Sequence, residues 1–330
     1  MTLIPLAGLF QLEQNIPLAL AIVVFSSFGF AAGATIQHLA VSKNTYGTAE
    51  SPSMSMREFF GLLKNRTWLI GTGTIIVGAT LHAVGLALAP VTVVQPVGIL
   101  AVPWAVLLAA KLHGYRPTKL IWFAVALTII GIVSFTYFSA TTAAKETELN
   151  FWKIVIGVLV VFSIGALLAY LGMTGKGFRR CLLLASAGSF YYGMSPTMLK
   201  TLFEVLGKDH YWTDPLLYVG LFFLLTCYGV GGWMLQQAYA NGPAEIVVGS
   251  MTTTDPIVAV GFGIAVLGEG ALLGVTDAFG MLITGAIAIG GVVILSKYHP
   301  DAQARRDAAQ AASLAAQGSE PAEPVAKPTA

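Results

Sequence analysis

Nine long apolar stretches, separated by short polar segments, limit what this 330-residue chain can fold into. The hydrocarbon core of a bilayer is about 30 Å thick, and a helix needs roughly 20 apolar residues to cross it. Only 10% of the residues are charged, whereas soluble domains carry about 25%, so the composition excludes an ordinary water-exposed surface. The chain is therefore predicted to be an all-α, polytopic membrane helix bundle. Its predicted spans are 16–41, 68–88, 91–112, 120–138, 154–171, 181–203, 215–238, 244–267 and 275–295.

The positive charges predict the orientation of these spans, because cytoplasmic loops of membrane proteins are rich in Lys and Arg. If the N-terminus lies outside and nine spans alternate, every arginine falls on the inner side. Of the lysines before the tail, only Lys145, Lys153, Lys200 and Lys208 fall outside. We therefore expect a multi-pass protein of the inner (cytoplasmic) membrane, with its N-terminus outside and its C-terminus in the cytoplasm.

An internal repeat divides the predicted spans into two halves. When the third span is placed on the eighth, Pro90 meets Pro243 and Pro103 meets Pro256. The charge-derived topology gives the matched spans opposite directions, and inverted repeats of this kind are typical of transporters. We predict an inverted repeat of 4+5 spans, with 5+5 as the alternative. The expected segments are an N-terminal extracytoplasmic segment (1–15), the first half (16–138), an extracytoplasmic loop (139–153), the second half (154–297) and a disordered cytoplasmic tail (298–330).

Three short motifs resemble those of a transporter superfamily. Residues 87–98, with the sequence ALAPVTVVQPVG, are similar to a hallmark of the drug/metabolite transporter (DMT) superfamily, and more narrowly of its NIPA-type magnesium transporters. Residues 25–30 (FSSFGF) resemble the first helix of the same group, and Gly268-Glu269 resembles a turn of EamA-type members. Over residues 16–297, the resemblance implies a DMT-like helix bundle around a central cavity.

The chain departs from the magnesium-transporter branch in the second span. Members of that branch typically carry an acidic residue there, before the tight hairpin, but this chain reads VGATLH at 77–82. Mg²⁺ requires oxygen ligands and gives up its water reluctantly. The missing carboxylate therefore argues against magnesium transport, and the sequence defines no metal site.

Asp255 is the strongest candidate for a binding residue, because a carboxyl group inside a membrane span is costly and usually functional. Pro256 lacks an N–H group and is predicted to free the Thr252 carbonyl, while Thr252 and Thr254 add hydroxyl groups nearby. This set suits a cation, a proton or an amine. Burial disfavours the charged form of a carboxyl group, so Asp255 could carry a proton. The alternative is an Asp that is capped by the neighbouring threonines and faces water in a wide vestibule.

Other polar and aromatic side chains could line the same cavity, or could be contacts between helices. Gln95 can hydrogen-bond a substrate, and His82 is of a type that titrates near neutral pH. Pro103 is predicted to free the Ile99 carbonyl. The candidate substrate- or ion-binding residues are Asp255, Thr252, Thr254, Gln95, His82, Tyr191, Tyr192, Trp104 and Trp233. The candidate kink or gating residues are Pro96, Pro103, Pro196 and Pro256.

The function predicted from these features is secondary active transport of a small organic solute, such as a metabolite or drug-like compound, by alternating access and coupled to H⁺ or Na⁺. The alternatives are a Mg²⁺ or other divalent-cation transporter, and a non-transporting membrane assembly protein or lipid-flipping partner. No P-loop, zinc-protease or serine-hydrolase motif is found, so we expect neither enzymatic activity nor a cofactor. A net charge of +2 gives no sign of nucleic-acid binding. The expected partners are the solute, the coupling ion and the lipid bilayer.

Overall fold

The computed structural model describes residues 13–45, 64–113, 116–144, 149–241 and 244–298, and these residues fold as helices joined by turns and short connections. The predicted all-helical architecture is confirmed for this part of the chain. The helices are α1 (Ile16–Thr45), α2 (Arg66–Leu88), α3 (Val91–Gly98), α4 (Ala101–His113), α5 (Lys119–Thr141), α6 (Phe151–Thr174), α7 (Gly177–Leu206), α8 (Pro215–Asn241), α9 (Ala244–Ala265) and α10 (Val275–Lys297). Residues 1–12, the loop 46–63 and the predicted tail beyond residue 298 lie outside the described residues.

Eight stretches of the described residues are long and apolar enough to cross a membrane. They correspond to eight of the nine predicted spans, so the chain has the architecture of a multi-pass membrane protein. The candidates are Ile16–Ile36, Arg66–Leu88, Val91–Leu112, Lys119–Thr141, Phe151–Thr174, Pro215–Ala238, Val247–Ala265 and Val275–Lys297. The exception is the predicted sixth span, 181–203, which lies within α7.

Helix α7 is the central helix of the bundle, and this position explains why it is less apolar than the others. It packs against α6, α8 and α9. Gly172 of α6 lies against Leu184 near one end of α7, and Gly220 of α8 lies against Leu202 near the other. Helix α7 therefore runs alongside two candidate spans at the same depth. Since its neighbours cover much of its surface, it can hold polar groups such as Lys200, which is only 2% exposed.

The third predicted span is interrupted, which differs from the single helix expected over 91–112. Helix α3 ends at Gly98 and α4 begins at Ala101, and three i→i−3 hydrogen bonds cross the junction between residues 96 and 102. This is one tightened, 3-10-type turn. Pro103 cannot donate to the Ile99 carbonyl, but the Val102 N–H group donates to it at 3.0 Å. The prediction that the Ile99 carbonyl is free was therefore wrong.

Glycines bring paired helices into backbone contact, which is how helices associate where lipid removes the hydrophobic driving force. In α2, a Cβ on Gly78 would lie 3.1 Å from the Phe30 nitrogen and 3.2 Å from the Ser26 carbonyl of α1. The Ser26 hydroxyl donates to the Gly78 carbonyl at 2.8 Å. Helices α5 and α10 meet in the same way, because a Cβ on Gly291 would lie 2.7 Å from the Thr128 nitrogen.

We expect Gly291→Ala to lower the unfolding temperature of the detergent-solubilised protein, because overpacking costs about 1–3 kcal/mol and the obstacle is the backbone of α5. Gly290→Ala is the matched control, since no atom lies within 4 Å of a Cβ at that position. The measurement is intrinsic tryptophan fluorescence during heating. Equal unfolding temperatures for the two variants would contradict this account of the α5–α10 contact.

Candidate functional site

The predicted polar candidates lie on four helices at the centre of the bundle. His82 is on α2, Gln95 on α3, Tyr192 on α7 and Asp255 on α9. Helices α3 and α7 each contact the other three. The first two helices come from the predicted first half and the last two from the second. The fold therefore brings residues from both halves to one region, and we call these four residues the polar centre.

Asp255 faces α7 at a point of close backbone contact. A Cβ on Gly193 would lie 2.6 Å from the Asp255 carbonyl oxygen and 2.8 Å from its Cα, so only glycine at 193 allows this approach. The Ser189 hydroxyl, one turn earlier on α7, is within hydrogen-bonding reach of the Asp255 carboxyl group. That hydroxyl donates its own proton to the Ala185 carbonyl at 2.9 Å. The hydroxyl has a single proton, so at any moment it can donate either to the Ala185 carbonyl or to the Asp255 carboxylate.

The Asp255 carboxyl group has an unused oxygen. Asp255 as a residue is partly exposed, but its Oδ1 atom is buried and has no hydrogen-bond partner in the protein. A buried polar atom left without a partner costs about 1–3 kcal/mol, so such atoms are uncommon and mark places where a ligand can bind. Oδ1 is thus an acceptor available to a cation, an amine or a hydroxyl group.

The threonines next to Asp255 are engaged with their own helix. The Thr252 hydroxyl donates to the Val248 carbonyl, and the Thr253 hydroxyl donates to the Gly249 carbonyl at 2.8 Å. Each hydroxyl has a single proton, so neither can donate a hydrogen bond to a solute in this arrangement. Thr254 is partly exposed. Of the two predicted threonines, Thr252 can therefore offer a solute only an acceptor oxygen.

A second polar group lies on α2 and α3. The Gln95 amide nitrogen lies 3.2 Å from His82 Nε2. If the amide donates, His82 Nε2 accepts and the ring proton is on Nδ1, an atom that is buried without a protein partner. Trp104 of α4 packs edge-on against Phe28 with ring centroids 5.7 Å apart, and its Nε1 is also buried without a partner. The unpartnered Trp104 N–H group, and the Nδ1–H group of this His82 tautomer, thus lie in the first half, and the unpartnered Asp255 oxygen lies in the second.

Two of the predicted aromatic candidates, Tyr191 and Trp233, lie away from Asp255. Tyr191 packs edge-on against Phe162 of α6, with ring centroids 4.9 Å apart, and its hydroxyl donates to the Phe162 carbonyl at 3.4 Å. Trp233 is 50% exposed on α8. Tyr192, in contrast, interacts electrostatically with Asp255 and packs against Tyr228. Of the three, only Tyr192 belongs with the polar centre.

Among the candidate prolines, Pro196 interrupts the hydrogen bonding of its own helix, and Pro96 and Pro256 line an apolar cavity. Pro196 cannot donate to the Tyr192 carbonyl, and the Ser195 hydroxyl donates to it instead at 2.6 Å. Pro96 of α3 and Pro256 of α9 line a cavity of about 410 Å³ between α3, α5, α9 and α10. Its lining is apolar and does not include Asp255. This apolar cavity is therefore separate from the polar centre.

Glu269 and Lys200 were not predicted as site residues, yet both are buried. Glu269 is 4% exposed, and its two carboxylate oxygens accept from the Val91 and Thr92 N–H groups, each at 2.8 Å. Burial raises the pKa of Glu269, and the two N–H groups and the charge of Lys200 oppose this rise. The only sequence signal was the Gly268-Glu269 resemblance, which says nothing of a contact with α3.

The described part of the chain holds no group of three or more His, Cys, Asp or Glu side chains placed to bind a metal ion. A divalent-cation site would need several oxygen ligands. At the polar centre, Asp255 is the one carboxyl group among the residues assembled there. This arrangement gives no support to the magnesium alternative.

The His82–Gln95 pair can be tested by a double-mutant cycle. We expect Gln95→Leu alone to lower the unfolding free energy by about 1–3 kcal/mol, because it leaves His82 with no partner on either nitrogen. The double variant His82→Phe/Gln95→Leu replaces both partners by apolar groups and should regain most of this loss. Denaturant unfolding in detergent measures both values, and additive losses would show that the two side chains are not coupled.

Comparison with known proteins gives one distant relative. No protein-family model matches the chain, and no solved structure matches it. The chain is 24% identical over 262 residues to an uncharacterized protein of Corynebacterium glutamicum, a match that covers 78% of this chain and 87% of that protein. The similarity thus extends over most of the helical bundle. The chain is a multi-pass, helical membrane-type protein with a bacterial relative of the same extent.

Proposed function

We propose that this protein is a secondary active transporter that moves a small organic solute across the membrane by alternating access. The observation that carries the proposal is the unused Oδ1 atom of Asp255, buried among the four central helices. A bundle that served assembly alone has no need of an unpartnered carboxyl group in its middle, because such a group costs stability. Donors at His82 and Trp104 complement it from the first half.

The proposed solute combines a group that the carboxyl can bind with an acceptor for those donors. An amine or hydroxyl group fits Asp255, and a carbonyl or similar oxygen fits the His82 and Trp104 N–H groups. Asp255 is a carboxyl group inside a span with one unused oxygen, and such groups serve as proton carriers in transporters, which supports H⁺ as the coupling ion. Release of the proton would then create the anionic form that binds a cationic solute.

Helix pairing supports the proposed inverted repeat of 4+5 spans. Helices α1 and α2 pair through Gly78, and helices α7 and α8 pair through Gly231. A Cβ added at Gly231 would lie 3.1 Å from the Tyr191 Cβ. These two glycines occupy matching positions when the second span is placed on the seventh. The matched third and eighth spans contact each other through α3 and α9, as do the fourth and ninth through α5 and α10. Contact between matched spans is what a two-fold repeat produces.

We further propose that the chain is a DMT-like protein, related to EamA-type or NIPA-type members. In the fold, two of the motifs that carry this resemblance meet, because Glu269 of the Gly268-Glu269 turn accepts from Val91 and Thr92 within the 87–98 motif. The contact joins residues 178 positions apart in the chain. Motifs that contact one another support a common structural origin better than isolated matches do.

Proteoliposome flux measures the proposed function. We expect the wild-type protein, reconstituted with a pH-sensitive dye inside, to move protons on addition of at least one solute from a panel of amines, amino acids and hydroxylated metabolites, with Mg²⁺ tested in parallel. Asp255→Asn should reduce this flux by about tenfold or more, because it removes a charged hydrogen-bonding group.

Asp277→Asn is the matched control, since Asp277 lies in the first turn of α10, outside the polar centre. It should transport at the wild-type rate. Asp255→Asn transporting as fast as the wild type would overturn the proposed role of Asp255, and Mg²⁺ flux alone would favour the divalent-cation alternative.

The proposed orientation is N-terminus outside and C-terminus inside, in the inner membrane. In a variant without native cysteines (Cys181→Ser, Cys227→Ser), Asp209→Cys and Lys176→Cys place single thiols on exposed positions at opposite ends of α7. An impermeant maleimide added to intact cells should label the cysteine at 209 and not that at 176. Inside-out vesicles should give the reverse, and the opposite pattern would invert the topology.

A further inference from the structure

At one end of the bundle, the Glu269 side chain links the two halves. Glu269 lies in the turn between α9 and α10, and its carboxylate binds the first two N–H groups of α3. The first of these bonds joins Oε1 to Val91 and the second joins Oε2 to Thr92, each at 2.8 Å. The His82–Gln95 contact lies within the first half and the Ser189–Asp255 contact within the second.

The backbone around Glu269 fixes the carboxylate in this position. Gly268 has a positive φ of 75°, a conformation that favours glycine, and it turns the chain back toward α9. The Glu269 N–H group then donates to the Gly263 carbonyl at 3.1 Å. A Cβ on Gly263 would lie 2.6 Å from Glu269 Oε2, so the carboxylate rests directly on the backbone of α9. The end of α9 and the start of α3 are thereby held together.

Two charged side chains of α7, Lys200 and Glu204, lie close to this contact or to each other. Lys200 of α7 is buried and interacts electrostatically with Glu269, and its Nζ lies 3.0 Å from Glu204 Oε1. From α3, the Val91 and Thr92 N–H groups and the Thr92 side chain face the carboxylate, and from α9 the backbone of Gly263 does. If the Glu269 carboxylate moves away, Lys200 still pairs with Glu204. The buried lysine therefore keeps a counter-charge.

We propose that Glu269 is a latch that keeps this end of the transporter closed, and that access to the polar centre from this end requires its carboxylate to leave the N–H groups of Val91 and Thr92. The inference rests on the proposed function, because alternating access requires that each end open in turn. Gln95 lies on α3 one turn beyond the latched residues, so the start of α3 separates this end from the polar centre. Gln95 is partly exposed in this structure, and movement of α3 away from the turn would expose it further.

The test measures accessibility and needs no knowledge of the substrate. In the background Cys181→Ser/Cys227→Ser, the reporter Gln95→Cys is labelled with an impermeant maleimide added at the Glu269 end, which the topology experiment identifies. We expect Glu269→Ala to raise the labelling rate by about tenfold or more, since it removes two charge-assisted hydrogen bonds. Gly263→Ala should raise the labelling rate as well, because the alanine Cβ would push the Glu269 carboxylate out of place while leaving it in the chain.

Two controls separate unlatching from general loosening. Asp209→Asn, an exposed acidic residue at the same end, should leave the labelling rate unchanged. In a second background that retains Cys227, which is fully buried, and lacks the reporter, Glu269→Ala should leave Cys227 unlabelled. Unchanged labelling of the reporter in both Glu269→Ala and Gly263→Ala would overturn the latch, as would equal acceleration at Cys227.

The latch and the transport proposal fail in different experiments. Faster labelling of the reporter in a protein that moves no solute in proteoliposomes would support the latch and count against transport. Solute flux with a labelling rate that does not respond to Glu269 or Gly263 would support transport and reject the latch.

Discussion

Close backbone contact between helices is the constraint on which the rest of the structure depends. Inside a bilayer, apolar side chains gain little by leaving lipid for protein, so helices associate through van der Waals contact between small residues. In this chain Gly78 joins α2 to α1, Gly291 joins α10 to α5, and Gly193 joins α7 to α9. The last of these contacts lies at Asp255, so the packing that holds the bundle also places its central carboxyl group.

The polar centre and the latch are consequences of the same arrangement. Because α7 is surrounded by other helices, it can present Ser189 and Tyr192 to Asp255 and hold Lys200 near Glu269. The first N–H groups of a helix have no partner within it, and Pro90 supplies no side-chain cap, so those of Val91 and Thr92 are available to Glu269. A longer loop or a side-chain cap at Pro90 would have satisfied those groups locally.

Sequence reasoning succeeded where the signal was local. Apolar stretches of the right length predicted nine spans, and eight of them are long and apolar enough in the structure to cross a membrane. It was less successful where the answer depended on distant neighbours. The contact between Glu269 and Val91 joins residues 178 apart, and no local pattern marks it. Nor could the sequence tell that Tyr191 packs against α6 whereas its neighbour Tyr192 interacts with Asp255, because side-chain direction depends on which helices surround α7. The Ile99 carbonyl was predicted free from Pro103 alone, but a tightened turn satisfied it.

The polarity of α7 also bears on how the protein reaches its folded state. A helix is recognised for membrane insertion by the apolarity of its own residues, and each Lys or Arg at its centre adds about 2.5–3.5 kcal/mol to the insertion cost. Helix α7 is the one predicted span that does not qualify by its own length and composition among the described residues. We therefore expect α7 to enter the bilayer together with α6 and α8, against which it packs. Membrane insertion of the second half would then be a concerted step, in which α6 and α8 assist the insertion of α7.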